Sequence, residues 1–352
     1  MLGLFLIRLD VTEKLRRLKM NTSSIDIVLP WVNGQDKEWQ QSFRQHAGRS
    51  SIGDTSSIRF RDWDLLRYWF RGIEKFMPWI NKIHFVTSGH IPDWLNLEHP
   101  QLNWVKHEEF IPQEYLPTFS ANTIELNLHR IESLSEHFIY FNDDLYVLNP
   151  VKPSRFFKKG LPCDYGVMTS KPSDGSIIHM AINDLDIIDS FFNKHQQIRK
   201  FWRKWFSLNY GFSLLSNAFL FTWRDFSGFV DPHLPNAFLK STYHEVWSQA
   251  TSVLHLTCRS RFRSNTDVNQ WLIRYWQLAA GNFYPYNTVK DTTYVDITDS
   301  SLLHICDQIS RQEYDIMCLN DSVEILDFKR AKNTLKRSFK EVFPSKSAFE
   351  KY

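Results

Sequence analysis

His137-Phe138-Ile139-Tyr140-Phe141-Asn142-Asp143-Asp144 is a strand-like run that breaks abruptly into three polar residues. Two similar runs precede it. Ile25-Asp26-Ile27-Val28-Leu29-Pro30 leads into the turn Trp31-Val32-Asn33-Gly34, and Lys82-Ile83-His84-Phe85-Val86-Thr87 closes on Ser88-Gly89. Helical periodicity fills the spaces between them. Leu66, Trp69, Phe70, Ile73 and Phe76 predict a helix over 62–77, with Asp62 as N-cap and Pro78 as its stop. Ile124, Leu128, Ile131 and Leu134 predict another over about 122–135, opened by an Asn122/Glu125 capping box. Strands alternating with helices imply a parallel sheet with right-handed crossovers. Residues 25–150 therefore read as α/β and Rossmann-like.

Beyond this unit, 151 to about 230 reads as an aromatic helical insertion of irregular pattern. Helices are predicted at 240–250 and 266–280, and a strand at Tyr314–Leu319. Residues 325–343 form a basic amphipathic helix, with Phe328, Leu335, Phe339 and Val342 on one face.

Composition narrows the class. A chain of 352 residues with 43% hydrophobic and 23% charged content can bury a substantial core. Aromatic content is high, with 28 Phe and 13 Trp; the rings serve either a Phe-rich core or sugar-stacking platforms. A net charge of +3 makes no case for nucleic acid. Cys163, Cys258, Cys306 and Cys318 form no CxxC pair, which argues against a zinc site or a disulfide framework and for reduced thiols. Leu2–Ile7 is too short to cross a bilayer.

The chemistry-bearing residues sit at strand ends and rigid turns. In open α/β sheets, ligands bind beyond the carboxyl ends of the strands. Asp143 and Asp144 occupy such a place, and neighbours on extended chain face opposite ways. One of them facing inward can hold a divalent metal against a diphosphate. The alternative is a plain Asx-turn. Asn320-Asp321 follows a second strand-like run. His233 lies between Pro232 and Pro235 on a rigid segment, placed either to take a proton from a hydroxyl or as a surface histidine. Arg263 suits phosphate oxygens or a surface ion pair. Arg59, Arg61, Asp62 and Arg67 cluster at a helix start, where they bind phosphate or pair with neighbours.

Five segments taken in order resemble the conserved regions of the Stealth family. They are IDIVLPWVNGQDKEW (25–39), RFRDWDLLRYWFRGIEKFMPWINKIHFVTSGHIPDWLN (59–96), FSANTIELNLHRIESLSEHFIYFNDD (119–144), HLPNAFLKS (233–241) and DIMCLND (315–321). That family includes bacterial capsular polysaccharide phosphotransferases and the animal enzyme that places GlcNAc-1-phosphate on lysosomal glycoproteins. The resemblance implies a fold related to the glycosyltransferase-A class. It implies attack by an acceptor hydroxyl on the sugar-linked phosphorus of a UDP-sugar, with release of UMP and formation of a phosphodiester. It places Asp143, Asp144, His233 and Arg263 in catalysis. Asp144, Asn320 and Asp321 fall to a Mg²⁺ or Mn²⁺ ion. Trp31, Asn33, Arg59, Arg61, Asp62, Arg67, Asn122, Asn142 and Asp267 fall to the substrates. Asn33 departs from the Asp that many relatives carry in this turn, so it is not counted as a metal ligand.

On this reading 1–24 is an N-terminal extension with translation starting at Met20, 25–323 the catalytic body, and 324–352 a basic helix and tail. The expected partners are a nucleotide-sugar and a polysaccharide or lipid-linked glycan acceptor, with no nucleic acid. The expected location is the cytoplasm. The basic helix either touches the inner membrane face or packs on the domain with its charges solvated. The same acidic pattern also serves a metal-dependent glycosyltransferase that releases UDP, and the aromatic surface a non-catalytic polysaccharide-binding protein.

Overall fold

The computed structural model describes residues 24–47, 61–171, 176–322 and 324–352; Arg59 and Met20 lie outside the described residues. The strands that shape the site are β1 (Ile25–Pro30), β2 (Ile83–Thr87), β3 (Leu102–Lys106), β4 (His137–Tyr140), β5 (Leu145–Val147), β6 (Asn236–Leu239), β7 (Thr292–Ile297) and β8 (Ile316–Asp321). Five of them form the main sheet in the order β3-β2-β1-β4-β6. The first four are parallel and β6 is antiparallel to β4. A second sheet runs β7-β8-β5, with β7 and β8 parallel and β5 antiparallel.

Alternation along the strands builds two cores. Ile27 and Leu29 of β1, Phe85 of β2 and Ile139 of β4 enter one; Val28, Val86, Phe138 and Tyr140 enter the other. Strands buried on both faces read as nearly continuous apolar runs, which is why β1, β2 and β4 are legible in the sequence. Asp26 is the polar exception in β1. It is fully buried and accepts hydrogen bonds from Asn81 Nδ2 at 2.8 Å and the Ser135 N–H at 2.7 Å.

Helices α1 (Leu66–Phe76), α2 (Ala121–Asn127), α3 (Ser176–Phe191), α4 (Lys240–Gln249), α5 (Thr251–Arg259), α6 (Gln270–Ala279), α7 (Leu302–Ser310) and α8 (Phe328–Val342) cover the sheets. The first core takes α1, α7 and α8; the second takes α2, α4, α5 and α6. Ala331, Leu335, Phe339 and Val342 of α8 are buried there, so its basic residues form the outer face of a packed helix.

Several boundaries differ from expectation. The α1 helix starts at Leu66, and Asp62 does not cap it. Asp62 Oδ1 instead accepts the Asp64 N–H at 2.7 Å, and Asp64 has φ +55°, so the chain turns before it coils. The α2 helix ends at Asn127 and tightens through Arg130. Asn122 and Glu125 form no capping box there, because Asn122 donates to Asp267 and Glu125 accepts from Tyr140. The α6 helix begins at Gln270, capped by Asn269, which accepts the Trp271 N–H at 2.8 Å. Asn320 and Asp321 lie inside β8 rather than after it. Strands β3 and β7 were not anticipated, and the insertion contains the 16-residue α3.

Gly72 marks the closest approach of α1 to β5. A Cβ at this position would sit 2.6 Å from the Val147 carbonyl oxygen, a backbone atom that cannot step aside. Gly72→Ala is therefore expected to destabilise the fold by about 1–3 kcal/mol despite the better helix propensity of Ala. A urea titration showing a midpoint equal to or above that of the natural protein would contradict this packing.

Candidate active site

The main sheet reverses its direction of growth beside β1. The chain moves outward through β2 and β3, then returns to the other side of β1 with β4. Loops leaving β1 and β4 diverge there, opening a crevice at the carboxyl edge. Phe141 still pairs with β1, its N–H donating to the Val28 carbonyl at 3.0 Å, so Asn142, Asp143 and Asp144 project just past the sheet. The Asp144 carbonyl then accepts the Leu319 N–H at 2.9 Å, fixing the loop to β8.

Two side chains converge on Asp144. His233 Nε2 lies 3.3 Å from Asp144 Oδ2, and Cys318 Sγ donates to the same oxygen at 3.6 Å. Asn142 Nδ2 is 3.1 Å from His233 Nε2. The amide contact needs a bare ring nitrogen and the carboxylate contact needs its N–H, so the two call for opposite protonation states of Nε2. Burial pulls the His233 imidazole down, but the Asp144 hydrogen bond and charge outweigh it and leave the ring above its ordinary value. Withdrawal of solvent and the adjacent Asp144 charge push Asp143 up to about 7, with Asp62 adding to the effect. Since Asp143 still reaches solvent, the neighbouring charge is the firmer of these causes.

Asp144 Oδ1 is buried and has no hydrogen-bond partner. A hard carboxylate oxygen left unpaired at a crevice suits a divalent cation completed by substrate phosphates and water. Ligating atoms of Asp144, His233 and Cys318 lie within 4.8 Å of one another. Burial and the Asp144 charge hold the Cys318 thiol well above its usual range, and a soft sulfur suits a hard divalent cation poorly. The sequence pattern gave no sign of a cysteine here. Asp321 is occupied by Arg61, whose Nε donates to it at 2.9 Å. Asn320 Nδ2 donates to Asp296 Oδ1 at 2.6 Å. Tyr294 adds its ring 5.9 Å from that of His233.

Asn122 Nδ2 donates to Asp267 Oδ2 at 3.1 Å, and the same oxygen accepts the Ser264 N–H at 2.8 Å. Burial holds the Glu125 carboxyl above its ordinary value against the Arg263 charge, and Glu125 in turn supports the charge on His233, so these groups share one electrostatic field. The remaining residues expected at the substrate have other company. Trp31 stacks on Phe85 at 5.7 Å, the Asn33 N–H donates to His90 Nε2 at 2.8 Å, and Arg67 pairs with Glu350 at 3.2 Å.

What places His233 is a buried ion-pair network that sequence reasoning missed. Arg274 on α6 is almost fully buried; its Nε donates to Asp164 Oδ2 at 2.9 Å and its NH1 to Asp231 Oδ1 at 2.5 Å. Tyr275 Oη and Lys171 Nζ donate to Asp231 Oδ2 at 2.5 and 2.6 Å. Asp231 is thus gripped from three sides, and Pro232 passes that rigidity to His233. One signal was available: Arg274 is the lone charge in the mostly apolar helix Gln270–Ala279. Arg274→Met is expected to leave buried Asp164 without its cation, and Asp231 with only Lys171 and Tyr275, and cost about 3–5 kcal/mol. Chemical denaturation would read this directly; a loss below that of an ordinary surface substitution would show the network to be dispensable.

Comparisons with known proteins bear on the family. Residues 59–163 match the model for Stealth protein CR2, conserved region 2. A capsular polysaccharide phosphotransferase, WcwK of Streptococcus pneumoniae, is 38% identical over 334 residues, 94% of this chain and 99% of that one. The exopolysaccharide phosphotransferase cps2G of Lactiplantibacillus plantarum is 34% identical over 329 residues, 93% of this chain and 96% of that one. Among solved structures, a galactosyltransferase, LgtC, with donor and acceptor sugar analogs covers 89% of this chain and 95% of its own. It does so at 9% identity and a TM-score of 0.36, too low for the likeness to bear on fold or reaction. Near-full-length identity to the two phosphotransferases does bear on it: the chain belongs to the Stealth family and is a transferase enzyme similar to those of capsule and exopolysaccharide biosynthesis.

Proposed function

We propose that the protein moves a hexose-1-phosphate or N-acetylhexosamine-1-phosphate unit from a UDP-sugar to a hydroxyl of a polysaccharide acceptor. The observation that carries this reading is the Asp144–His233 pair, 3.3 Å apart at the carboxyl edge of β4, in a chain whose relatives are named phosphotransferases over nearly their whole length.

In this mechanism the acceptor oxygen attacks the phosphorus that bears the sugar. A new P–O bond forms as the bond to the uridylyl phosphate breaks, and UMP departs. The hydroxyl proton passes to His233 Nδ1, while the Nε2–H donates to Asp144 Oδ2, which orients the ring and stabilises its conjugate acid. Asp143 is the second candidate acceptor for that proton, poised near neutrality. Arg263 offsets negative charge on the transferring group, which dominates phosphoryl-transfer catalysis. Asp144, through its unpaired Oδ1, would hold Mg²⁺ or Mn²⁺ together with the donor's phosphates. Such an ion, when bound, supplies charge neutralisation on the diphosphate. Arg61 and Asp62, beside Asp321 and Asp143, line the approach on the β8 side.

Incubation with a panel of UDP-sugars and Mg²⁺, followed by nucleotide and phosphorus analysis, tests the reaction. UMP with a phosphodiester resonance is expected; UDP instead would mean glycosyl transfer, and glycan binding without nucleotide consumption would remove catalysis. His233→Ala should lower kcat by roughly a hundredfold to ten-thousandfold and Arg263→Ala by about a hundredfold to a thousandfold, with the fold retained. Near-normal turnover in both variants would refute the assigned roles.

A further inference from the structure

The insertion between α3 and β6 presents an apolar surface that the transfer chemistry does not use. Leu208 and Phe212 are 91% and 94% exposed, and Leu215 and Phe219 are 68% and 69% exposed. Trp202 and Trp223 are about half exposed at either end of the same segment. Single exposed apolar residues are ordinary, but six large ones between positions 202 and 223 are a binding surface.

The segment is held, not loose. Asn217 is buried and donates to the Gly166 and Trp205 carbonyls at 2.8 and 2.6 Å, while its own oxygen accepts the Met168 N–H at 2.6 Å. Lys194 is buried beneath it and donates to the Leu220 and Trp223 carbonyls at 2.5 and 2.7 Å. Tyr210, Trp205 and Leu220 fill the inner side. With the inner face anchored, Leu215 and Phe219, four residues apart on a helix from Leu214 to Leu220, point outward together.

Charge identifies what covers this face. From Phe191 to Arg224 there are six Lys or Arg (Lys194, Arg199, Lys200, Arg203, Lys204 and Arg224) and no Asp or Glu, in a chain whose totals are 42 basic and 39 acidic. Arg199, Lys200 and Arg203 are exposed near Trp202, whereas Arg224 beside Trp223 is exposed but paired with Asp225. Apolar tips on a segment that also carries exposed basic groups and Trp match the layers of an anionic lipid surface, where acyl chains lie under phosphates. A second copy of the chain would instead set two basic rims against each other. Among the described residues no helix is long and apolar enough to cross a membrane, so the contact lies on one leaflet. The C-terminal helix, by contrast, has already committed its apolar face to the protein core.

We propose that residues 199–224 seat the enzyme on an anionic phospholipid bilayer. Leu208, Phe212, Leu215 and Phe219 enter the acyl boundary, and Arg199, Lys200 and Arg203 meet the phosphates. The test is flotation of the full chain with phosphatidylcholine vesicles and with phosphatidylcholine–phosphatidylglycerol vesicles. Binding is expected to the second only and to weaken with salt. The double variants Phe212→Ser/Phe219→Ser and Arg199→Glu/Arg203→Glu should each lower the partition coefficient about tenfold or more, with unchanged thermal unfolding. Absence of binding to anionic vesicles, or binding that neither double variant reduces, would overturn the proposal. So would a dimer in sedimentation velocity that either variant dissociates, since the face would then join two copies. None of these readouts depends on which bond the enzyme breaks.

Discussion

One arginine organises the candidate active centre. Arg274 bridges Asp164, on the sheet side, and Asp231, two residues before His233. A buried guanidinium costs several kcal/mol to desolvate and is tolerated only where carboxylates surround it in good geometry. That same requirement makes the arrangement rigid, because any drift of Asp231 strands charge in the interior. The general base proposed here therefore takes its position from helix α6, although no atom of α6 is proposed to touch substrate.

The crevice itself follows from strand order. With β1 flanked by β2 and β4, the loops after β1 and β4 have to part, and the acidic loop finds itself at an opening rather than under a helix. Asp144 is then fixed twice over, by Phe141 pairing back to β1 and by its carbonyl bonding to β8. A carboxylate held this firmly retains one buried oxygen without a hydrogen bond because its surroundings cannot relax to supply one.

The parts of this fold legible in the sequence are those determined locally. Strands β1, β2 and β4 are apolar on both faces, and α1 shows clean helical spacing, so their burial is written in their own residues. The failures have separate physical causes: distant partners, local turns and mixed polarity. Asn122 looked like part of a cap and instead bonds Asp267, 145 positions away. Asp62 looked like a cap and closes a turn instead. Strands β3 and β7 carry half-exposed polar positions that blur the apolar signal. Within the site, Asn142–Asp144 could be picked out from its place after a strand. His233 and Arg263 gained weight only through resemblance, and Arg274, Asp164 and Cys318 depend on contacts that no spacing rule reveals.

The two cores also differ in how much chain they span. The second draws mostly on residues 105–283, whereas the first joins residues 27–157 to residues 297–349, and the Arg71–Glu350 pair closes a separation of 279 positions. Bringing such remote segments together carries the larger loop-closure entropy and slows assembly. During synthesis the middle of the chain can collapse around β4 and its helices while α1 still waits for α8. The side of the sheet that carries α1 is thus the last to be sealed, and until then it is the part of the nascent protein most in need of a chaperone.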